Sequence, residues 1–196
     1  MGTGRRKTPA EGCTLDRPRN EDAFPVCAEE TLVLLVDGEA SDDAAIEVVR
    51  STHRLGLGCL AYHDVTLSAD RLSRFHDAGF RSATQPDADV GGRLEHLFFR
   101  AFLNGARRVV AFVGRAEGVT PEILGEAFDA LGGGDTAIGP SGDGGYYLIG
   151  LSRPCRKVFR GIPWGTDLVL RETMAHLHSC GLRVRILPPL LASAGA

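Results

Sequence analysis

The sequence predicts a single α/β domain, a three-layer α/β/α sandwich around a mostly parallel β-sheet. Three observations carry that expectation. Short apolar runs alternate along the chain with stretches of helical spacing, the pattern of strands joined by crossover helices. The clearest runs are continuous rather than alternating in polarity, as in strands buried on both faces of a parallel sheet. The chain has 196 residues, 43% hydrophobic and 24% charged. That length lets one domain bury a core without disulfides or a structural metal, and disfavours two domains.

The elements follow in order. Residues 1–30 are polar and aperiodic, rich in Arg, Pro, Asp and Glu, and read as a mobile or irregular N-terminal arm. The domain spans 31–196. Leu32 to Val36 is a buried-strand run that ends at Asp37-Gly38. Ser41 before Asp42 and Asp43 signals a helix start, a hydroxyl cap followed by acids in the first turn. Gly58 to Tyr62 reads as a strand, Ser68 to Ala78 as a helix stopped by Gly79, and Phe80 to Thr84 as a short strand. Arg93 to Asn104 carries Leu94, Leu97, Phe98, Ala101 and Phe102, an amphipathic helix stopped by Gly105. Val109 to Val113 is the clearest strand. Thr120 caps the next helix, with Pro121 at its first position, and that helix runs to about Leu131. Asp135 to Gly139 and Tyr146 to Leu151 read as strands, Leu168 to Ser179 as a helix, and Arg183 to Leu187 as a last strand.

Composition excludes several function classes. The formal net charge of -3 gives no attraction to nucleic acid or to an anionic membrane. No apolar run approaches the roughly 20 residues of a membrane span. The basic start, Met1 to Lys7, has no apolar stretch after it, so no signal peptide is expected. Five cysteines are scattered without CxxC spacing, which favours neither a zinc site nor a disulfide framework. A cytoplasmic protein with reduced thiols, no metal and no cofactor is the expectation. The histidines fit no metal spacing; His176 and His178, two apart on a helix, do not share a face. The oligomeric state is left open.

Three segments concentrate chemistry. The first is Gln85-Pro-Asp-Ala-Asp-Val-Gly-Gly-Arg93. The second is Gly139-Pro-Ser-Gly-Asp-Gly-Gly-Tyr-Tyr-Leu-Ile-Gly150. The third is Gly161-Ile-Pro-Trp-Gly-Thr166. In the second, a strand delivers the chain to a Gly-rich turn with one acid, Asp143, and leaves through an aromatic strand. Gly144 and Gly145 lack a Cβ, so a ligand or another backbone can approach closely. Open α/β sheets bind ligands at the carboxyl ends of their strands. The plain alternative is a tight turn in which Asp143 caps its own backbone.

With those strings in hand, the chain resembles the GT-A-type nucleotide-diphospho-sugar transferases. Within these it is similar to a bacterial family of small glycosyltransferase-like or nucleotidyltransferase-like proteins found with radical-SAM/selenium-associated domains. The string G-P-x-x-D-G-G-Y-Y-L-I-G-L looks like that family's signature. Gln85, Asp89, Gly91 and Arg93 match its Q-x-G-x-D-L-G-x-R stretch. Gly161 to Thr166 resembles its I-P-W-S-T, with Gly165 for Ser, and Gly181 to Pro189 its G-L-R-V-x-x-L-P-P. The resemblance runs from about Leu32 to Pro189 and implies a GT-A fold.

The departures bear on chemistry. The family follows its first strand with the basic loop P-G-x-V-K-T-R-L, suited to triphosphate. This chain has the acidic run Asp37-Gly-Glu-Ala-Ser-Asp-Asp43, which repels polyphosphate. The family's metal-binding Asp falls on Arg115, and a cation cannot ligate Mg²⁺. The family's acidic C-terminal D-V-D-T-P-x-D gives way to Leu191-Ala-Ser-Ala-Gly-Ala196. The resemblance therefore implies a retained acceptor side and a dismantled nucleotide side. Asp143 is the candidate catalytic residue. Gly144, Gly145, Tyr146, Trp164, Thr166, Gln85, Arg93 and Arg115 are candidates for binding a small-molecule substrate. Three functions stand beside one another: a repurposed enzyme independent of metal and nucleotide, a working glycosyl- or nucleotidyltransferase with an unusual donor site, and a non-catalytic binding or scaffold protein.

Overall fold

A computed structural model of the chain describes residues 28–36, 42–52, 56–113 and 118–190. Seven strands form one sheet in the order β3-β2-β1-β4-β6-β5-β7. They are β1 (Glu30–Val36), β2 (Gly58–His63), β3 (Arg81–Thr84), β4 (Arg108–Phe112), β5 (Thr136–Pro140), β6 (Tyr146–Leu151) and β7 (Val184–Ile186). All run the same way except β6, which lies antiparallel between β4 and β5. The mostly parallel α/β sheet expected from the sequence is observed.

Among the described residues five helices cover the two faces: α1 (Asp42–Thr52), α2 (Ala69–Asp77), α3 (Val90–Leu103), α4 (Pro121–Gly132) and α5 (Val169–Ser179). The faces separate by alternation along the strands. Leu32, Leu34 and Val36 of β1 join a core with Phe75 of α2 and Leu124, Ala127 and Phe128 of α4. Val33 and Leu35 join the opposite core, with Leu94, Leu97 and Phe98 of α3 and Leu177 of α5. Residues 31–36 are all buried, which is why a continuous apolar run serves as this strand.

The Thr120 cap is the one the sequence signals, its side chain accepting from Ile123 N–H, and Ser68 caps α2 likewise by accepting from Arg71 N–H. The Ser41 cap lies outside the described residues. Helix α3 differs from expectation. It begins at Val90 rather than Arg93, because Asp89 caps it by accepting from Gly92 N–H at 2.7 Å. The Gly-Gly pair that reads as loop is thus the first turn of a helix. A short 3-10 turn, Arg156–Phe159, also precedes α5.

The antiparallel β6 shapes the functional edge. The carboxyl end of β5 and the start of β6 both lie at the edge where β1 to β4 end, so the 141–145 connection sits there. Leu190 closes this corner, accepting from Gly142 N–H and donating to the Pro140 carbonyl. No described helix is long and apolar enough to cross a membrane.

Candidate functional site

Asp143 sits at the tip of the β5–β6 connection and is exposed. Its Oδ1 accepts from Ser141 Oγ at 2.5 Å and from Gly145 N–H at 3.0 Å. These two bonds, the Ser141 bond foremost, hold the carboxyl below the ordinary carboxylate value. Asp143 is therefore an ionised group whose Oδ1 caps its own turn. Its Oδ2 takes no bond from another described residue. The tight-turn alternative of the sequence describes what Oδ1 does.

The glycines of the turn are accounted for by backbone packing. Gly144 has φ of 82°, and a Cβ there would lie 2.3 Å from the Asp167 carbonyl oxygen. Its carbonyl accepts from Leu170 N–H at 2.9 Å. The turn is docked on the segment that carries Trp164 and Thr166. A Cβ on Gly145 would crowd Asp143 Oδ1 at 3.1 Å.

Trp164 is half-buried and forms the other side of this corner. Its indole meets the Tyr146 ring edge to face, with centroids 6.2 Å apart. It also lies against Gly91 of α3, where a Cβ would stand 2.5 Å from Trp164 Nε1 and 2.6 Å from the Phe159 carbonyl. Gly91 is thus the notch that admits the indole. The Tyr146 ring is buried, and burial pushes its hydroxyl well above the ordinary phenol value. Thr173 is its polar neighbour, yet neither hydroxyl has a partner at hydrogen-bonding geometry among the described residues. Tyr147 points to the opposite face and donates to the Pro188 carbonyl at 3.0 Å. Thr166 Oγ1 donates to the Pro163 carbonyl and accepts from Leu168 N–H, capping the turn into α5.

Gln85 and Arg93 lie elsewhere on the same edge. Four strand spacings separate β3 from β6, about 19 Å along the sheet. Gln85 is buried. Its side-chain Nε2 donates to the Tyr62 carbonyl at 2.5 Å, and its Oε1 has no partner among the described residues. Arg93 Nε donates to the Ala88 carbonyl at 2.8 Å. The first turn of α3 bridges the two ends, with Gly91 under Trp164 and Arg93 near Asp64 of the β2 end. Arg115, the 37–41 loop and residues 191–196 lie outside the described residues.

A groove of about 280 Å³ opens between α1 and α4. It is lined by Ala44, Glu47, Val48, Gly118, Val119, Thr120 and Pro121. Among the described residues its one charged lining group is the Glu47 carboxylate. No cluster of three or more His, Cys, Asp or Glu able to hold a metal occurs among the described residues.

Three features were missed in the sequence. Asp89 as a cap was available from the same rule applied at Ser41. Gly91 as the seat of Trp164 is a contact across 73 residues with no local signal. Tyr62 of β2 hydrogen-bonds His96 Nδ1 and stacks on its ring. Burial, and then Arg100, hold His96 below its ordinary value, so its ring is neutral at pH 7.

Comparison with known proteins agrees with this architecture. Residues 58–166 match the model of a family described as uncharacterized proteins conserved in bacteria, DUF2064. A proposed nucleotide-diphospho-sugar transferase from Desulfovibrio desulfuricans G20 is 26% identical, with a TM-score of 0.68 over 84% of this chain and 82% of that one. Rv0371c from Mycobacterium tuberculosis H37Rv is 18% identical, with a TM-score of 0.55 over 84% and 90%, and has also been solved with manganese. A 4-diphosphocytidyl-2C-methyl-D-erythritol synthase is 10% identical, with a TM-score of 0.53 over 86% and 91%. The last two show the fold alone. No curated protein matches the chain.

Proposed function

We propose that this chain, which belongs to the DUF2064 family, is a diverged member of the nucleotidyltransferase-like fold that acts on a small organic molecule without nucleotide or metal. The observation that carries this reading is the charge of the α1–α4 groove. The groove lies between α1 and α4, the helices that follow β1 and β4, and the family resemblance places the phosphate- and metal-binding groups after those two strands. Its described lining offers six uncharged residues and Glu47, and in sequence the connection between β1 and α1 carries Asp37 and Glu39, that between β4 and α4 Arg115. A triphosphate needs clustered cations, backbone N–H groups or a bound divalent ion. Acids next to a polyphosphate act against it.

The retained chemistry centres on Asp143. A carboxylate held below its ordinary value is a weak base at neutral pH, since proton abstraction works best near the operating pH. Its stronger role is as an ionised anchor: Oδ2 accepts from a hydroxyl or ammonium of the substrate, with Trp164 supplying an apolar face. Gly144, Gly145, Tyr146 and Thr166 hold that pair in place. Gln85 and Arg93 serve a more distant part of the same edge.

The test is thermal stability in the presence of nucleoside triphosphates, nucleotide sugars and Mg²⁺ or Mn²⁺. A true donor at a hundredfold excess over its Kd stabilises by about 2.7 kcal/mol. For a domain of this size that is a rise of about 5–10 °C. No shift is expected. A metal-dependent rise with any nucleotide refutes the reading. It favours the second one, a working transferase, which rests on the likeness to the Desulfovibrio protein over most of both chains.

A further inference from the structure

We propose that Cys155 and Cys180 form a reversible dithiol–disulfide pair, an oxidative modification site that ties the segment after β6 to the end of α5. The two segments run past each other in opposite directions. Lys157 accepts through its carbonyl from His176 at 3.1 Å, and Arg153 donates to the Gly181 carbonyl at 3.4 Å. Cys155 lies between Arg153 and Lys157, and Cys180 lies between His176 and Gly181. Cys180 is also one helical turn beyond His176, on the same face, and its N–H donates to the His176 carbonyl. The ladder therefore sets one cysteine opposite the other. Both are half-buried and pack on the same core. After burial, Cys180 is the main group raising the Cys155 thiol, which agrees with their being neighbours.

The chemistry balances with a low-molecular-weight disulfide as oxidant. One cysteine, as thiolate, attacks a sulfur of that disulfide and releases one thiol. The second cysteine, having lost its proton, attacks the mixed disulfide and releases the other. Two protein thiols become one protein disulfide, and the oxidant gains two electrons and two protons as two thiols. Because the Cys155 thiol is raised, little of it is thiolate near pH 7, and the exchange accelerates as pH rises. The product spans the 3-10 turn and the Trp164 segment, so oxidation restrains the chain just before the candidate site. Cys59 is a natural control: burial alone pushes it up to about 11.

The full reduced chain, equilibrated at pH 8 across a series of reduced-to-oxidised glutathione ratios, tests this. Free thiols are then trapped with N-ethylmaleimide, and intact mass and peptide mapping read the result. The expected result is loss of two alkylation sites, one cross-linked peptide pair containing Cys155 and Cys180, monomeric mobility without reductant, and full reversal by dithiothreitol. Cys155→Ser and Cys180→Ser each abolish that cross-link. The proposal is overturned if both thiols stay alkylatable at the most oxidising ratio. It is also overturned if the cross-links join Cys13, Cys27 or Cys59 instead, or join two chains. The wild-type map decides by itself, whatever the variants do to folding.

Discussion

Replacing Asp143 by Asn separates its two oxygens' duties. The amide keeps an Oδ1 that accepts from Ser141 Oγ and Gly145 N–H, and removes the charge. A hydrogen bond to a charged acceptor is roughly twice as strong as a neutral one, but this turn is exposed, so the loss is about 0.5 kcal/mol. That is about 1–2 °C in Tm for a domain of this size. Asp143→Ala removes the acceptor altogether and costs about 1–2 kcal/mol, as at other caps. If Oδ2 anchors substrate, both variants lose activity or ligand binding by a factor of about 10 to 100, the worth of a hydrogen bond to a charged group. The assay pairs thermal melting with binding or turnover of whatever small molecule the wild type retains. Full function in Asp143→Asn removes the residue from the mechanism. Loss of function only in step with Tm across the two variants shows a cap and nothing else. The pH dependence has a definite sign. The folded carboxyl is depressed, so its contribution to stability is present above the unfolded value near 3.9. It is lost as pH falls through the lower folded value. Function resting on this charge is flat from neutral pH down to about 5.

Three further outcomes follow from packing. Gly144→Ala sets a Cβ against the Asp167 backbone at a positive φ and costs about 2–4 kcal/mol by denaturant unfolding. Gly91→Ala displaces Trp164 at a cost of about 1–3 kcal/mol. Because Trp164 is the only tryptophan, a red shift of intrinsic fluorescence reports its release; an unshifted spectrum contradicts the notch. Glu95→Gln weakens the clasp in which Glu95 accepts from Arg156 and doubly from Arg160. The partners are half-exposed, so the loss is about 1 kcal/mol and shrinks as salt is raised.

The sheet and its caps were legible because strands buried on both faces and capped helices leave local signals. Leu32–Val36, Val109–Val113 and the Thr120-Pro121 start all stand within a residue or two of expectation. The start of α3 was misplaced because Val90-Gly91-Gly92 has poor helix propensity, and what selects Gly91 is a tryptophan far along the chain. The site was legible as a set of strings, not as a geometry. Asp143, Gly144, Tyr146, Trp164 and Thr166 gather at one corner, while Gln85 follows β3, four strand spacings from β6, and Arg93 lies on the α3 turn between the two. Strand order decides that separation, and no local pattern encodes that β3 is an edge and β6 is inserted between β4 and β5.

The corner also changes what the Gly139–Gly150 string can mean. Gly144 is required by its own φ and by the Asp167 backbone, Gly91 by the indole, and Thr166 by the turn into α5. Tyr147 is engaged with the Pro188 carbonyl on the other face. Each would be kept in a protein that had lost all catalysis, because each holds the fold together at this edge. The string is therefore an argument for the fold and only indirectly one for chemistry. The group that packing does not demand is the second oxygen of Asp143. A Ser–Asp pair at a tight turn needs one acceptor oxygen, which Asn or a shorter hydroxyl supplies, and an ionised, exposed carboxylate on the turn that docks against the 164–170 segment offers more than that. If function survives on this scaffold, it is concentrated in that oxygen and in the indole face, with the glycines as their supports.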